Sequence, residues 1–269
     1  MQRLDLRSLL GVDRPLIGMV HLRALPGAPH HESVAAVVDA ACRDAELLSS
    51  GGVDALLIEN YGDAPFHPDA VPPETIAGIT AAAAAVRRVS DLPLGINVLR
   101  NDARAALGIA AVVGAAFIRV NVHTGAMLAD QGWLTGRAHE TLRARAALRT
   151  KIGVFADVLV KHAVPPPGLD IADAARDTWQ RGGADALIVS GAATGAATDV
   201  ARLAAVRAAV PGAVVLIGSG VTPDNAPLLL ARAEGAIVGS ALQRGGRAGA
   251  GVELERVQAM VAAFRRACG

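Results

Sequence analysis

Short runs of branched aliphatic residues recur along this chain, each bounded by glycine, proline or polar residues and each followed by a segment of helical periodicity. Eight such runs centre on residues 16–20, 55–58, 94–98, 117–122, 153–158, 186–189, 214–217 and 236–238. Their length and boundaries predict β-strands, and the apolar positions recurring at three and four residues between them predict amphipathic helices. Successive strands start roughly 20 to 40 residues apart, room for one loop and one crossover helix. A βα unit repeated eight times predicts an α/β fold, a single (β/α)8 TIM barrel. An open doubly wound sheet alternates in the same way, but polar residues follow every strand here, as they do at the working end of a closed barrel.

Local punctuation supports the helices. Ser33 is placed to cap a helix running to about residue 50, where Gly51 and Gly52 end it, and Arg181-Gly182-Gly183 ends the helix before the sixth strand. Pro223, after Thr222, is expected to open another helix. In the fourth strand, Ile118-Arg119-Val120-Asn121-Val122-His123, a period of two puts Arg119, Asn121 and His123 on one face and the aliphatic residues on the other.

The last two strands run into glycine-serine turns, VVLIGSGVT over 214–222 and GAIVGSAL over 235–242. Glycines at a strand mouth let backbone N–H groups approach an anion, and a following helix adds the positive end of its dipole. After the seventh and eighth strands of a barrel, two such turns make a phosphate grip from Gly218, Ser219, Gly220, Gly239 and Ser240. The alternative is a pair of tight turns built from small residues.

Composition narrows the class. Hydrophobic residues make up 52% of the 269 residues and aromatics only 3%, a balance suited to alanine-faced helices on a Val/Ile/Leu barrel. No linker divides the chain, so one domain over 1–269 is expected, the barrel spanning about 15–267 behind a short N-terminal extension. A net charge of +1 spread along the chain offers no footprint for nucleic acid or an anionic membrane. There is neither a signal-peptide core nor a run long enough to enter a membrane, and Cys42 and Cys268 lack metal-site or disulfide spacing. A cytoplasmic protein with a small-molecule phosphorylated substrate is expected; a homo-oligomeric state stays open.

Polar residues at the strand ends are the candidate chemistry. Glu59 and Asp157 are the candidate general acid and base, His21 or His123 a proton shuttle, and Arg119 or Lys161 the stabiliser of an enolate or oxyanion. Asn60, Asn97 and Asn121 are candidates for substrate contacts, and Ser190, Gly191 and Thr194 for completing the phosphate cradle. Each also has a packing role open to it, Arg119 as the ion-pair partner of Glu59 or Asp157. Lys161 stands out because the chain's only other lysine is Lys151, and an amine can lose its proton, form an imine or pair with phosphate. No cofactor is implied. A divalent metal held by His21, Glu59 and Asp157, with His123 or His162, would make a hydrolase, although no HxH or HExxH spacing is present.

Across MVHLRALPGAP, LIENYGDAPF, IRVNVHTGA, ADVLVKHA, IVSGAATG, IGSGVTPDN and IVGSALQRGG, from about residue 15 to 247, the chain resembles the BtpA family, which includes the SgcQ-type proteins. The resemblance implies a TIM barrel of the ribulose-phosphate-binding type. It leaves two functions open: an isomerase, epimerase or lyase acting on a phosphorylated sugar or phosphoribosyl-type metabolite, or a non-catalytic assembly factor in photosystem I biogenesis. It brings no catalytic residues with it.

Overall fold

The computed structural model describes residues 3–191 and 199–268. Eight parallel strands close into a barrel: β1 (Leu16–His21), β2 (Ala55–Glu59), β3 (Leu94–Asn97), β4 (Phe117–Val120), β7 (Gly153–Asp157), β9 (Ala186–Val189), β10 (Val215–Ile217) and β11 (Gly235–Val238). They neighbour one another in that order, and β11 pairs back onto β1. All eight coincide with the predicted strands.

Helices cover the outside, as the period-two alternation requires. Leu56 and Ile58 of β2, Ile118 and Val120 of β4, and Leu187 and Val189 of β9 belong to the outer apolar layer. Ser33 caps α2 (Val34–Gly51), its hydroxyl accepting from the Ala36 N–H, and Gly52 closes the helix at φ 94°. Pro223 opens no helix: it lies in a turn, and α8 (Ala226–Leu230) begins three residues later. The Thr222 N–H donates to the Asn225 side chain, and that turn delays the helix.

The barrel interior is filled from below. Ile17, Met19, Leu57, Phe117, Phe155, Ile188, Leu216 and Ile237 form an inner cluster, and the short helix α1 (Leu6–Leu10) caps it with Leu6 and Leu10. Phe117 and Phe155 stack with ring centres 4.5 Å apart. A Cβ on Gly95 would lie 2.2 Å from the Phe117 ring, so glycine there makes room for a ring whose burial contributes about 1.5–3 kcal/mol. The bottom of the barrel is therefore filled with apolar side chains.

A second sheet lies outside the barrel. β5 (Ala126–Ala129), β6 (Gly132–Thr135) and β8 (Ala163–Val164) pair antiparallel, with Met127 and Leu134 buried against Val122 and Val160. None of the predicted elements corresponds to this hairpin. Its signal was the alternation in AMLADQGWLT around a turn whose Gly132 takes φ 95°. Among the described residues, no helix is long and apolar enough to cross a membrane.

Candidate functional site

In-register neighbours on parallel strands face the same side, so the register itself assembles the top interior layer. His21 lies opposite Glu59, Glu59 opposite Asn97, and Asn97 opposite Arg119. The layer divides into a saturated network and an open pocket.

The network centres on Asp157. Its carboxylate accepts from Arg119 Nε and Nη2, both at 2.9 Å, from Asn121 Nδ2 at 3.0 Å and from Ser190 Oγ at 3.4 Å. The Asn97 amide donates to Asn121 Oδ1 and to the Arg119 carbonyl. Both members of the ion pair are buried, with side-chain exposures of 3% and 1%. Burial opposes the charge on Arg119, but the charge and hydrogen bonds of Asp157 outweigh it and hold the guanidinium above its ordinary value. The expectation of Asp157 as an acid or base is therefore corrected, because four donors occupy its lone pairs. Asn121 is likewise spent within the network, while Asn97 donates through Nδ2 and its buried Oδ1 accepts no hydrogen bond among the described residues. Asn60 is corrected too: it accepts from the Leu99 N–H and donates to Asp63 and the Leu99 carbonyl, pinning two loops together.

The pocket holds what remains. His21, Glu59, Arg119 and Lys161 line a cavity of about 30 Å³ together with Gly218, Ser219, Gly220, Gly239 and Ser240. His21 Nδ1 lies 2.6 Å from the amide nitrogen of Gln243, whose oxygen accepts from the Ala250 N–H. The amide therefore donates to Nδ1, and the imidazole carries its proton on Nε2, which faces Glu59 Oε1 at 3.9 Å. Burial pushes the His21 pKa below its ordinary value, with Glu59 and Gln243 pulling the other way. Gln243 reaches the site from the loop after β11; it lies in the IVGSALQRGG segment but is not among the candidate site residues. Tyr61 packs on the same imidazole at 4.7 Å.

Lys161 sits four residues beyond β7, between Leu159 and His162, both with left-handed backbone at φ 51° and 58°. Arg100 fixes that segment by donating to the Lys161 carbonyl at 2.8 Å. Among the described residues the Lys161 ammonium makes no hydrogen bond or ion pair. Burial lowers its pKa and nearby Arg119 adds to the effect, against the pull of Glu59 and Asp157.

The two glycine-serine turns line this pocket. A Cβ on Gly218 would strike Ile188 and Ser190 at 2.4 Å, one on Gly239 would lie 2.9 Å from the His21 ring, and Gly220 takes φ 73°. Among the described residues the N–H groups of Gly220 and Ser240 make no hydrogen bond. The expected helix dipoles are corrected: α8 has five residues and the 3-10 turn after β11 has three. Any anion here is held by backbone N–H groups and side-chain charge. Gly191 donates to Ser219 Oγ at 3.1 Å, tying the ends of β9 and β10; Thr194 lies outside the described residues.

His123 is not in the mouth. β4 ends at Val120, the alternation breaks there, and His123 Nε2 lies 2.9 Å from the Gly182 carbonyl. It lines instead a groove of about 690 Å³ with His139, Arg143 and Arg181, away from the strand-end layer. Burial lowers its pKa. His162 is exposed. Among the described residues no three His, Cys, Asp or Glu side chains stand together as metal ligands, so the metal-dependent hydrolase lacks a donor set.

The BtpA family model matches residues 12–266, the barrel from its first strand to its last helix. This chain belongs to the BtpA family. It is 42% identical over 262 residues to photosystem I biogenesis protein BtpA of Synechocystis, covering 97% of this chain and 91% of that one. It is 47% identical over 249 residues to an uncharacterised protein of Thermococcus kodakarensis, covering 92% and 94%. In fold, this BtpA-family barrel resembles phosphoribosyl anthranilate isomerase from Thermus thermophilus, with a TM-score of 0.59 at 15% identity over 94% and 98% of the two chains. It also resembles thiamine phosphate pyrophosphorylase from Pyrococcus furiosus, at 0.58 and 16% over 98% and 100%.

Proposed function

We propose that the barrel mouth is the active site of an enzyme acting on a phosphorylated sugar or phosphoribosyl-type metabolite by acid–base catalysis. The observation that carries this reading is one polar pocket lined at once by both glycine-serine turns and by His21, Glu59 and Lys161. The phosphate accepts from the Gly220 and Ser240 N–H groups and faces the charge of Arg119. Glu59, whose only charged contact within 4 Å among the described residues is His21, moves the proton. His21 offers Nε2–H to an oxygen that gains charge, as Gln243 fixes its tautomer. Asp157 keeps Arg119 in place. Isomerisation, epimerisation and lyase-type cleavage all draw on such a donor and base. The cavity is small, so binding a whole sugar phosphate requires side chains to move, and half-buried Lys161 is the longest one without a hydrogen bond. Fold neighbours named for phosphoribosyl and phosphate compounds support the ligand class.

Calorimetry with ribose 5-phosphate tests the site. Ser240→Asp puts a carboxylate where the phosphate belongs and should weaken binding at least tenfold, about 1.4 kcal/mol, while the barrel stays folded. Unchanged affinity in a folded variant would remove the phosphate grip.

An assembly-factor reading draws on the name of the Synechocystis relative and on one surface feature. Trp133, Leu128 and Val164 lie in register across the three-stranded sheet, 56%, 46% and 65% exposed, an apolar stripe open to a partner. Complementation of a deletion strain separates the two. Rescue by Trp133→Ser but not by Glu59→Gln supports the enzyme, and the reverse supports the factor.

A further inference from the structure

We infer that Lys161 is a covalent catalytic residue, its amine forming an imine with the carbonyl carbon of a phosphorylated carbonyl compound held by the two glycine-serine turns. The inference rests on the proposed phosphate site and narrows its substrate to ketose phosphates and phosphorylated oxo acids.

Four observations point the same way. Lys161 lines the same pocket as the turns, so a phosphate held there puts the rest of a short ligand beside the amine. The ammonium lacks a hydrogen-bond partner among the described residues, and of the two carboxylates that act on its charge Asp157 is committed to Arg119, Asn121 and Ser190. Burial, helped by the guanidinium groups of Arg119 and Arg100 and opposed by Glu59 and Asp157, makes this lysine lose its proton more easily, and the neutral amine is the nucleophile. Its backbone is also held: Arg100 grips the Lys161 carbonyl, and left-handed residues flank it on both sides of the bend. A lysine serving only as a flexible counter-ion needs no such fixing.

The chemistry balances with groups already present. Lys161 Nζ adds to the carbonyl carbon, forming the C–N bond. The carbonyl π electrons go to the oxygen, which takes a proton from a protonated Glu59 while His21 Nε2–H hydrogen-bonds it. Glu59 takes that proton back from the nitrogen and passes the nitrogen's second hydrogen to the hydroxyl in the same way, so the carbon–oxygen bond breaks, one water leaves with the amine's two hydrogens in net, and Glu59 ends protonated. Its proton on nitrogen gives the iminium, which withdraws electrons from the neighbouring carbon. Glu59 then stands ready to take a proton there, or the neighbouring carbon–carbon bond breaks with its electrons entering the iminium. No oxidant or reductant takes part.

Borohydride trapping reads this directly. The full chain is incubated with dihydroxyacetone phosphate, ribulose 5-phosphate or unphosphorylated dihydroxyacetone, reduced with sodium borohydride, and mapped by peptide mass spectrometry. The expected result is an adduct on Lys161 with at least one of the two phosphorylated probes, at least tenfold above the unphosphorylated one and above exposed Lys151. It should be absent in Lys161→Arg, which keeps the charge and whose folding is checked by its melting curve. Labelling of Lys151 to the same extent, or equal labelling with the unphosphorylated probe, overturns the inference. Calorimetry with inorganic phosphate separates the two failures: phosphate binding without an adduct overturns the imine alone, and absence of both overturns the imine together with the phosphate site.

Discussion

Two carboxylates at the top of the barrel look equivalent in sequence, and replacing each by its amide should give opposite results. In Asp157→Asn the buried Arg119 guanidinium loses both charge-assisted bonds, at 2.9 Å each, while its side chain stays 3% exposed. Breaking one partner of a buried pair costs about 3–5 kcal/mol, because the remaining charge is stranded in a low dielectric. For 269 residues the entropy of unfolding near the melting temperature is about 0.57 kcal/mol/K, from roughly 2.1 cal/mol/K per residue. The expected fall in Tm is therefore about 5 to 9 °C. Among the described residues Glu59 makes no such bond, and its one ionic contact is His21 Nε2 at 3.9 Å. Glu59→Gln strands no partner charge and should cost about 1 kcal/mol or less, under roughly 2 °C, yet lose about 10²- to 10⁴-fold in turnover once a substrate is in hand. Circular dichroism melts of the two variants and wild type, at one pH and one scan rate, measure the difference. Arg119→Met with Asp157→Asn should recover part of the loss, since neither charge is then left unpaired. Asp157→Asn melting within 2 °C of wild type, or Glu59→Gln melting as early as Asp157→Asn, would refute this division of labour.

Gly95→Ala pushes a methyl into the Phe117 ring and should destabilise by about 1–3 kcal/mol, and trimming the ring with Phe117→Leu in the same chain should relieve part of that cost, as read by chemical denaturation. His21 and His123 should titrate below 6.5 in the folded protein, with ¹⁵N shifts placing the His21 proton on Nε2. As pH falls below about 6.5 the unfolded chain takes up these protons before the folded one, so stability should drop toward pH 5. Gln243→Ala should lift the tautomer preference of His21; an Nδ1-protonated ring in wild type, or either histidine titrating above 6.5, would count against the site geometry.

In the fourth strand the alternation of apolar and polar residues puts Arg119 and Asn121 on the inward face, and a polar residue at the end of an apolar run marks His21, Glu59, Asn97, Asp157 and Ser190. Strand sterics allow only two faces, and a buried outer face selects one. Glycine-serine turns at two successive strand ends were equally legible, because local backbone demands show in local sequence. Tertiary structure decided the state of each polar group. Asp157 became a saturated anchor because Arg119 and Asn121 reach it from 38 and 36 residues away, and His21 gained its tautomer from Gln243 at a separation of 222. His123 left the mouth because β4 stops at Val120, where the chain turns out toward the hairpin. Hydrogen-bond saturation and burial depend on partners that only closure of the barrel brings together, and they decide which of two identical carboxylates is left with a lone pair for chemistry.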